Sequence, residues 1–199
     1  MMNNVVLVVA DGEINTKLVS DDPLFTHALN SAKYSNASDV FISSDSLYVR
    51  KFAAGMGVNV FVPKTGTKNL DELVSQFSKE CEFDSLTIVN ARYPLLSPDI
   101  INDAMQKIHV SKTDLLFTVH KERWYPRWTT AGESLNFDLG NKTTLTEYNS
   151  RCYVENGMLY ITKSTEPLFE QSFDIIEINP YLCIEINHVN DIPFAETMI

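Results

Sequence analysis

Two cations lie in loops that directly follow predicted strands, which is where α/β proteins commonly bind small molecules. Lys17 comes a short polar segment after the apolar run 5–9, and Arg92 comes three residues after the run 86–89. Because the carboxyl ends of parallel strands meet at one edge of a sheet, we expect both side chains to lie at one crevice, where they would contact a ligand. The alternatives are a solvated loop lysine for Lys17 and a surface ion pair for Arg92.

Acidic and amide side chains follow other predicted strands. Asp45 follows the run 40–43, where it would either contact a ligand or cap the next helix. Glu185 and Asn187 alternate with isoleucines, as the residues of a half-buried strand do, and Asp191 follows them.

The apolar segments alternate between strand and helix periodicity. Strands are predicted at 5–9, 40–43, 58–62, 86–89 and 115–119, with helices after Pro23 and at 47–56, 70–77 and 99–108. We therefore expect one α/β domain spanning residues 1–199, three-layered, with a doubly wound, mainly parallel, Rossmann-like sheet. Residues 120–155 interrupt the alternation, and we expect a small inserted hairpin arm there. A strand at 158–162, a helix at 166–169, strands at 175–178 and 183–186, and a last helix after Asp191 complete the chain.

Composition limits the partners. With a net charge of -10, the chain has no excess of Lys and Arg to displace counterions from nucleic acid, which argues against such a partner. No apolar run reaches the roughly 18 residues that span a membrane. Three widely spaced cysteines fit neither a disulfide framework nor a metal site, and with no secretory leader evident we expect a cytoplasmic protein.

Several short motifs occur in a specific order. They are PL at 23–24, ISSDS at 42–46, YPL at 93–95, SPDI at 97–100, NGMLYI at 156–161 and CIEIN at 183–187. In this order they resemble the bacterial cytidylyltransferases that activate sialic acid and related keto sugar acids, over nearly the whole chain. The resemblance implies a nucleotidyltransferase that uses Mg²⁺ to transfer CMP from CTP to a keto sugar acid.

The resemblance also assigns roles to residues. The nucleotide would contact Ala10, Asp11, Gly12, Lys17, Asp45, Asn90 and Arg92. Lys17 and Arg92 would be catalytic, as the cations that neutralise phosphate charge. Glu185 and Asn187 would hold the metal together with Asp191, although a neutral amide binds Mg²⁺ more poorly than a carboxylate does. The sugar acid would contact Asn156, Gly157 and Arg127.

Alternatives stay open for the sugar-binding residues. Asn156 and Gly157 would serve equally well as a tight turn into the next strand. Arg127 belongs to a segment, 121–128, that interleaves three cations with three aromatic residues. That segment would stack on a base or sugar, or form the contact of a homodimer, which relatives make through an arm in this position.

The chain departs from the family's pattern at the phosphate loop. Relatives carry a Gly-rich, basic loop after the first strand, whereas this loop is shorter, with one glycine and one lysine, and Asp11 and Glu13 there have the wrong sign for phosphate. Asn187 stands where relatives carry an aspartate. These departures leave three hypotheses: a divergent enzyme, a binding or regulatory protein without catalysis, and a transferase acting on other substrates.

Overall fold

A seven-stranded sheet organises the chain. The computed structural model describes residues 2–64, 67, 69–123, 127–135 and 151–199. The strands are β1 Asn4–Val9, β2 Leu18–Val19, β3 Asp22–Pro23, β4 Asp39–Ser43, β5 Asn59–Phe61, β6 Ser85–Asn90, β7 Leu115–Arg123, β8 Arg151–Thr162 and β9 Phe173–Glu177. The α-helices are α1 Leu24–Lys33, α2 Leu47–Gly55, α3 Leu70–Phe77, α4 Pro98–Val110 and α5 Ile192–Glu196.

The sheet has the order β5-β4-β1-β6-β8-β7-β9. β1, β4, β5 and β6 pair in parallel, as do β7 and β9, and β8 runs antiparallel to both of its neighbours, β6 and β7. This confirms the predicted doubly wound, mainly parallel sheet. The carboxyl ends of β1, β4, β5 and β6 therefore lie along one edge, where the sequence predicts the site.

Helices cover both faces of the sheet, which is why β1 is apolar throughout. Val6 and Val8 pack in the core formed with α1, α2 and α4, whereas Val5 and Leu7 pack on the opposite face against Phe77 of α3. Successive side chains of a strand point to opposite faces, so both faces of β1 are buried.

The predicted cap of α2 differs from the one observed. The cap is Ser46, whose side chain accepts a hydrogen bond from the backbone N–H of Val49 at 3.5 Å, so Asp45 is not the cap. The residue before α1 is Pro23, which makes no side-chain capping hydrogen bond. Asp22 and Pro23 form β3, which pairs with β2 in a two-stranded ribbon.

One predicted element in the last quarter of the chain was wrong. Residues 183–186 form no strand; Ile184 and Ile186 instead pack in a small core with Leu24 and Ala195, which explains their apolar alternation. The helix predicted at 166–169 is a short 3-10 helix at Leu168–Glu170.

The expected arm begins as a hairpin, since β7 and β8 pair in antiparallel register as far as Arg123 opposite Arg151. The rest of the arm lies partly outside the described residues, including 124–126 and 136–150. Asn156 and Gly157 make no tight turn, because they lie inside β8 at an irregularity of its pairing with β7, where Gly157 has a φ of 70°. A side chain at that φ would be strained, so the irregularity requires glycine.

Candidate active site

Two adjoining cavities form one crevice at the carboxyl ends of β1, β4, β5 and β6. The smaller has a volume of about 350 Å³ and includes Asn90, Arg92 and Gly157 in its wall. The larger has a volume of about 650 Å³ and includes Asp45 in its wall. Both are lined by Val9, Asp11 and Leu70, and their volumes are within the range typical of small-molecule sites.

Asp11 lies at the junction of the two cavities. Its Oδ1 accepts a hydrogen bond from the backbone N–H of Asp45 at 3.3 Å. Partial burial raises the pKa of Asp11, and the negative charge of Asp45 adds to this, whereas that hydrogen bond and the positive charge of Arg92 act in the opposite direction. The charge of Asp11 is therefore only partly compensated within the protein.

A hydrogen-bonded cluster joins the loop after β6 to the segment before the last helix. The N–H of Arg92 donates to Asn90 Oδ1 at 3.1 Å, and Asn90 Nδ2 donates to Glu185 Oε1 at 3.4 Å. The guanidinium Nη1 of Arg92 donates to Asn187 Oδ1 at 2.8 Å, and the Arg92 carbonyl accepts from the N–H of Ile186 at 2.9 Å. The structure thus brings four predicted site residues together from distant parts of the sequence.

Two cations that the sequence analysis missed line the larger cavity, Arg50 and Lys64. Neither they nor Arg92 forms an ion pair with a carboxylate among the described residues, and the buried Nε of Arg50 has no hydrogen-bond partner there. Arg50 lies in the second turn of the helix after β4, and Lys64 in the loop after β5. Their position after strands on the predicted edge was the signal that could have identified them.

Lys17 is placed differently from Arg92. Its Nζ lies 2.8 Å from Glu13 Oε1, in an ion pair whose side chains are 41% and 83% exposed. That pairing lowers the pKa of Glu13. Lys17 is not among the described residues that line either cavity, so this arrangement does not support the predicted phosphate contact.

The predicted loop residues Ala10 and Gly12 have backbone roles. Ala10 is fully buried, its N–H donates to Ser43 O at 2.9 Å, and its carbonyl accepts from Ser44 Oγ at 2.7 Å. Gly12 has a φ of 85°, a conformation that favours glycine. They fix the direction of the loop that carries Asp11, and the side chain of Ala10 has no surface to offer a ligand.

The side chain of Asn156, predicted to contact a sugar, forms hydrogen bonds within the protein instead. Its Oδ1 accepts from Thr118 Oγ1 at 2.6 Å and from the N–H of Met158 at 3.1 Å, and its Nδ2 lies 3.2 Å from Cys183 Sγ. Its carbonyl accepts a hydrogen bond from the buried hydroxyl of Tyr93. Asn156 therefore locks β8 to β7 and to the loop after β6.

Arg127 also lies apart from the crevice lining. It is on the arm, where its Nη2 is 3.6 Å from Glu122 Oε2. It is not among the described residues that line either cavity. The structure supports no sugar contact for Arg127 within one chain.

The smaller cavity has two further polar residues that sequence reasoning missed. Asn15 is 1% exposed, and its Nδ2 donates to the carbonyl of Asp11 at 2.7 Å, which holds the loop against β1. Tyr160 donates its hydroxyl to Glu155, and burial together with that carboxylate raises the pKa of the phenol. Asn15 therefore shapes the cavity, and Tyr160 is a neutral hydrogen-bonding group in its wall.

The predicted metal ligands fit Mg²⁺ poorly. Asn187 Oδ1 is engaged by the Arg92 guanidinium, and Glu185 Oε1 by the amide of Asn90. Asp191 accepts from the N–H groups of Asn187 and His188 at 3.0 and 2.8 Å. In the part of the chain that the structure describes, no three His, Cys, Asp or Glu side chains cluster in a way that could hold a metal ion.

The family model for cytidylyltransferases matches residues 15–178. Among characterised proteins, N-acylneuraminate cytidylyltransferase B of Danio rerio is 25% identical over 204 residues, covering 93% of this chain and 47% of that protein. This chain therefore spans about half the length of that relative. None of the helices in the described ranges is long and apolar enough to cross a membrane.

Two solved structures share the fold. A CMP:2-keto-3-deoxy-manno-octonic acid synthetase complexed with CTP superposes with a TM-score of 0.74 at 10% identity, covering 98% of this chain and 97% of that one. A 4-diphosphocytidyl-2C-methyl-D-erythritol synthase from Anaerococcus prevotii superposes with a TM-score of 0.73 at 12% identity, with the same coverage.

Proposed function

Because the chain belongs to the cytidylyltransferase family, we propose that its crevice binds CTP and that it transfers CMP to an acceptor resembling a sugar acid. The observation that carries this proposal is the set of three cations, Arg50, Lys64 and Arg92, that surround one crevice without a carboxylate partner among the described residues. The characterised relative supports an acylneuraminate-like acceptor, and the structural neighbour that was solved with CTP supports the nucleotide.

The unpaired cations are informative because the chain is acidic. It has 26 acidic residues against 16 Lys and Arg, so carboxylate partners are plentiful. Among the described residues, five other cations form ion pairs with carboxylates, and what distinguishes Arg50, Lys64 and Arg92 from the remaining unpaired lysines is that they converge on one crevice. Cations that converge on a cavity without such partners leave a local positive potential, which attracts an anionic ligand despite the net charge.

The transfer reaction mainly requires that the reactants be positioned and that the charge of the phosphates be neutralised. The acceptor hydroxyl oxygen forms a bond to the α-phosphorus of CTP, the bond from that phosphorus to the bridging oxygen breaks, and pyrophosphate leaves while the hydroxyl proton passes to solvent. Negative charge grows on the leaving oxygen, and cations already fixed in place stabilise it. Arg92 suits this role, because hydrogen bonds to Asn90 and Asn187 hold it in place.

Calorimetric titration with CTP, UTP, ATP and GTP tests the binding step. We expect CTP to bind best, and Arg92→Ala to weaken it at least tenfold, whereas Lys17→Ala, a matched loss of one positive charge, changes the affinity less than twofold. Pyrophosphate release with N-acylneuraminate or a 2-keto-3-deoxy sugar acid then tests the transfer. Absence of binding by all four nucleotides would overturn the proposal.

A second candidate is a binding or regulatory protein without catalysis. Asp11 favours it, because a carboxylate at the junction of the two cavities opposes phosphate. This candidate predicts CTP binding without pyrophosphate release for any sugar-acid acceptor. The homodimer and the cytoplasmic location stay predictions; light scattering would test the first by a mass of twice 22.5 kDa.

A further inference from the structure

The Arg92 side chain contacts one of the two residues predicted to hold a metal ion. Its Nη1 donates to Asn187 Oδ1 at 2.8 Å, and its Nη2 lies 3.8 Å from the point where a Cβ on Gly12 would stand. The guanidinium therefore lies between the loop after β1 and the segment that carries Glu185 and Asn187. A positive group is already present beside the segment expected to hold Mg²⁺.

The backbone around Arg92 holds this arrangement. Its N–H donates to Asn90 Oδ1, and its carbonyl accepts from the N–H of Ile186, so both of its backbone polar groups are hydrogen-bonded. The bond from Ile186 ties the Arg92 loop to the 185–187 segment independently of the side chain. Arg92 and Asn187 are therefore neighbours because of the fold.

The donor set around this position suits an arginine better than Mg²⁺. Mg²⁺ requires nearly octahedral oxygen ligands at about 2.0–2.1 Å and favours carboxylates. Here one oxygen belongs to a neutral amide that already accepts from Arg92, and the nearby carboxylate Glu185 accepts from Asn90. A guanidinium carries a permanent charge and five N–H donors, so after contacting Asn187 it still has donors for a phosphate.

We propose that the guanidinium of Arg92 takes the place of a protein-bound divalent cation, so that this chain binds CTP without requiring Mg²⁺. The inference rests on the proposed function, since it concerns the same crevice. Arg92 supplies a fixed positive charge to the phosphates, and Asn187 orients it. Mg²⁺ that accompanies free CTP would then be dispensable for affinity.

The test is calorimetric titration of the wild-type chain with CTP, once with Mg²⁺ and once with excess EDTA. We expect dissociation constants that agree within threefold. Arg92→Ala should raise the constant at least tenfold in both conditions, and Arg92→Lys should recover part of the loss because it keeps the charge but cannot reproduce the planar fork. The unfolding midpoint of each unliganded variant shows whether it is folded.

The outcomes separate the two proposals. Wild-type binding that disappears in EDTA overturns this inference while leaving the proposed function intact. Failure of CTP to bind in both conditions overturns the proposed function itself. The double variant Arg92→Ala, Asn187→Asp removes the guanidinium and adds a carboxylate beside Glu185, so we expect it to bind CTP at least fivefold more tightly with Mg²⁺ than with EDTA. Equal affinity of that variant in both conditions would count against the inference.

Discussion

Replacing Asp11 by Asn should strengthen the binding of CTP. Asp11 lines both cavities of the crevice, so its charge opposes a polyanionic ligand in either one. Asparagine keeps the size of the side chain and an Oδ1 that can still accept from the N–H of Asp45. The substitution therefore removes one negative charge and leaves the local hydrogen bonding in place.

The expected magnitude follows from Coulomb's law. Two unit charges about 4 Å apart interact by roughly 1 kcal/mol in water and roughly 4 kcal/mol at an effective dielectric constant of about 20. Asp11 is partly exposed, so solvent and salt screen its charge and the lower part of that range applies. A gain of about 1.4 kcal/mol corresponds to about tenfold tighter binding.

Isothermal titration at low salt measures this gain, and Glu80→Gln is the matched control. Glu80 is exposed and follows the carboxyl end of α3, whereas the amino end of that helix lines the crevice. The control makes the same change in net charge away from the site, so its affinity should match that of the wild type. Weaker CTP binding by Asp11→Asn would show instead that the carboxylate attracts the ligand.

The stability of Asp11→Asn has its own pH dependence. Burial raises the folded-state pKa of Asp11 above 3.8, so the ionised carboxylate destabilises the fold. The variant should therefore gain unfolding free energy over the wild type above that raised pKa. The gain should shrink as the pH falls through the raised pKa and vanish below 3.8, where Asp11 is protonated in both states. Denaturant unfolding at several pH values measures the difference.

Four further substitutions test the site and the residues that support it. Arg50→Ala and Lys64→Ala should each weaken CTP binding about tenfold in calorimetric titration, because each removes a cation from the larger cavity. Unchanged affinity of both variants would show that the larger cavity does not bind CTP. Ser46→Ala should lower the free energy of unfolding by about 1 kcal/mol, because α2 loses its N-terminal cap. An equal loss of stability for Asp45→Ala would indicate that Asp45 also caps the helix. Asn156→Ala should lower the free energy of unfolding in urea by about 1–3 kcal/mol, because Thr118 Oγ1 and the N–H of Met158 each lose a hydrogen-bond partner. An unchanged urea midpoint would show that those hydrogen bonds contribute nothing to stability.

Local periodicity was enough to predict most of the fold. The apolar run of β1, buried on both faces, and the alternation of helices and strands up to β7 require a parallel sheet with helices on both sides. The placement of β8 could not be predicted in the same way. Its own pattern fits a strand, but its antiparallel position between β6 and β7 depends on pairing across long sequence distances.

The residues of the site were harder to predict than the fold. Arg92 was identified because it directly follows a strand at the expected edge, whereas Arg50 lies on a helix and Lys64 follows a short edge strand. Lys17 has the right chain position, but an ion pair with Glu13, four residues away, holds its side chain outside the crevice lining. Whether a cation forms an ion pair depends on which carboxylates lie near it in the folded chain, and position in the sequence does not reveal these neighbours.

A crystal structure of the chain with CTP would show directly whether the unpaired cations of this crevice bind the nucleotide, through the distance from the Arg92 guanidinium to the nearest phosphate oxygen. We predict a hydrogen-bond distance of about 2.7–3.2 Å, with another part of CTP against Arg50 or Lys64. Phosphates bound beside Lys17, or CTP bound outside the crevice, would show that these cations do not bind the nucleotide.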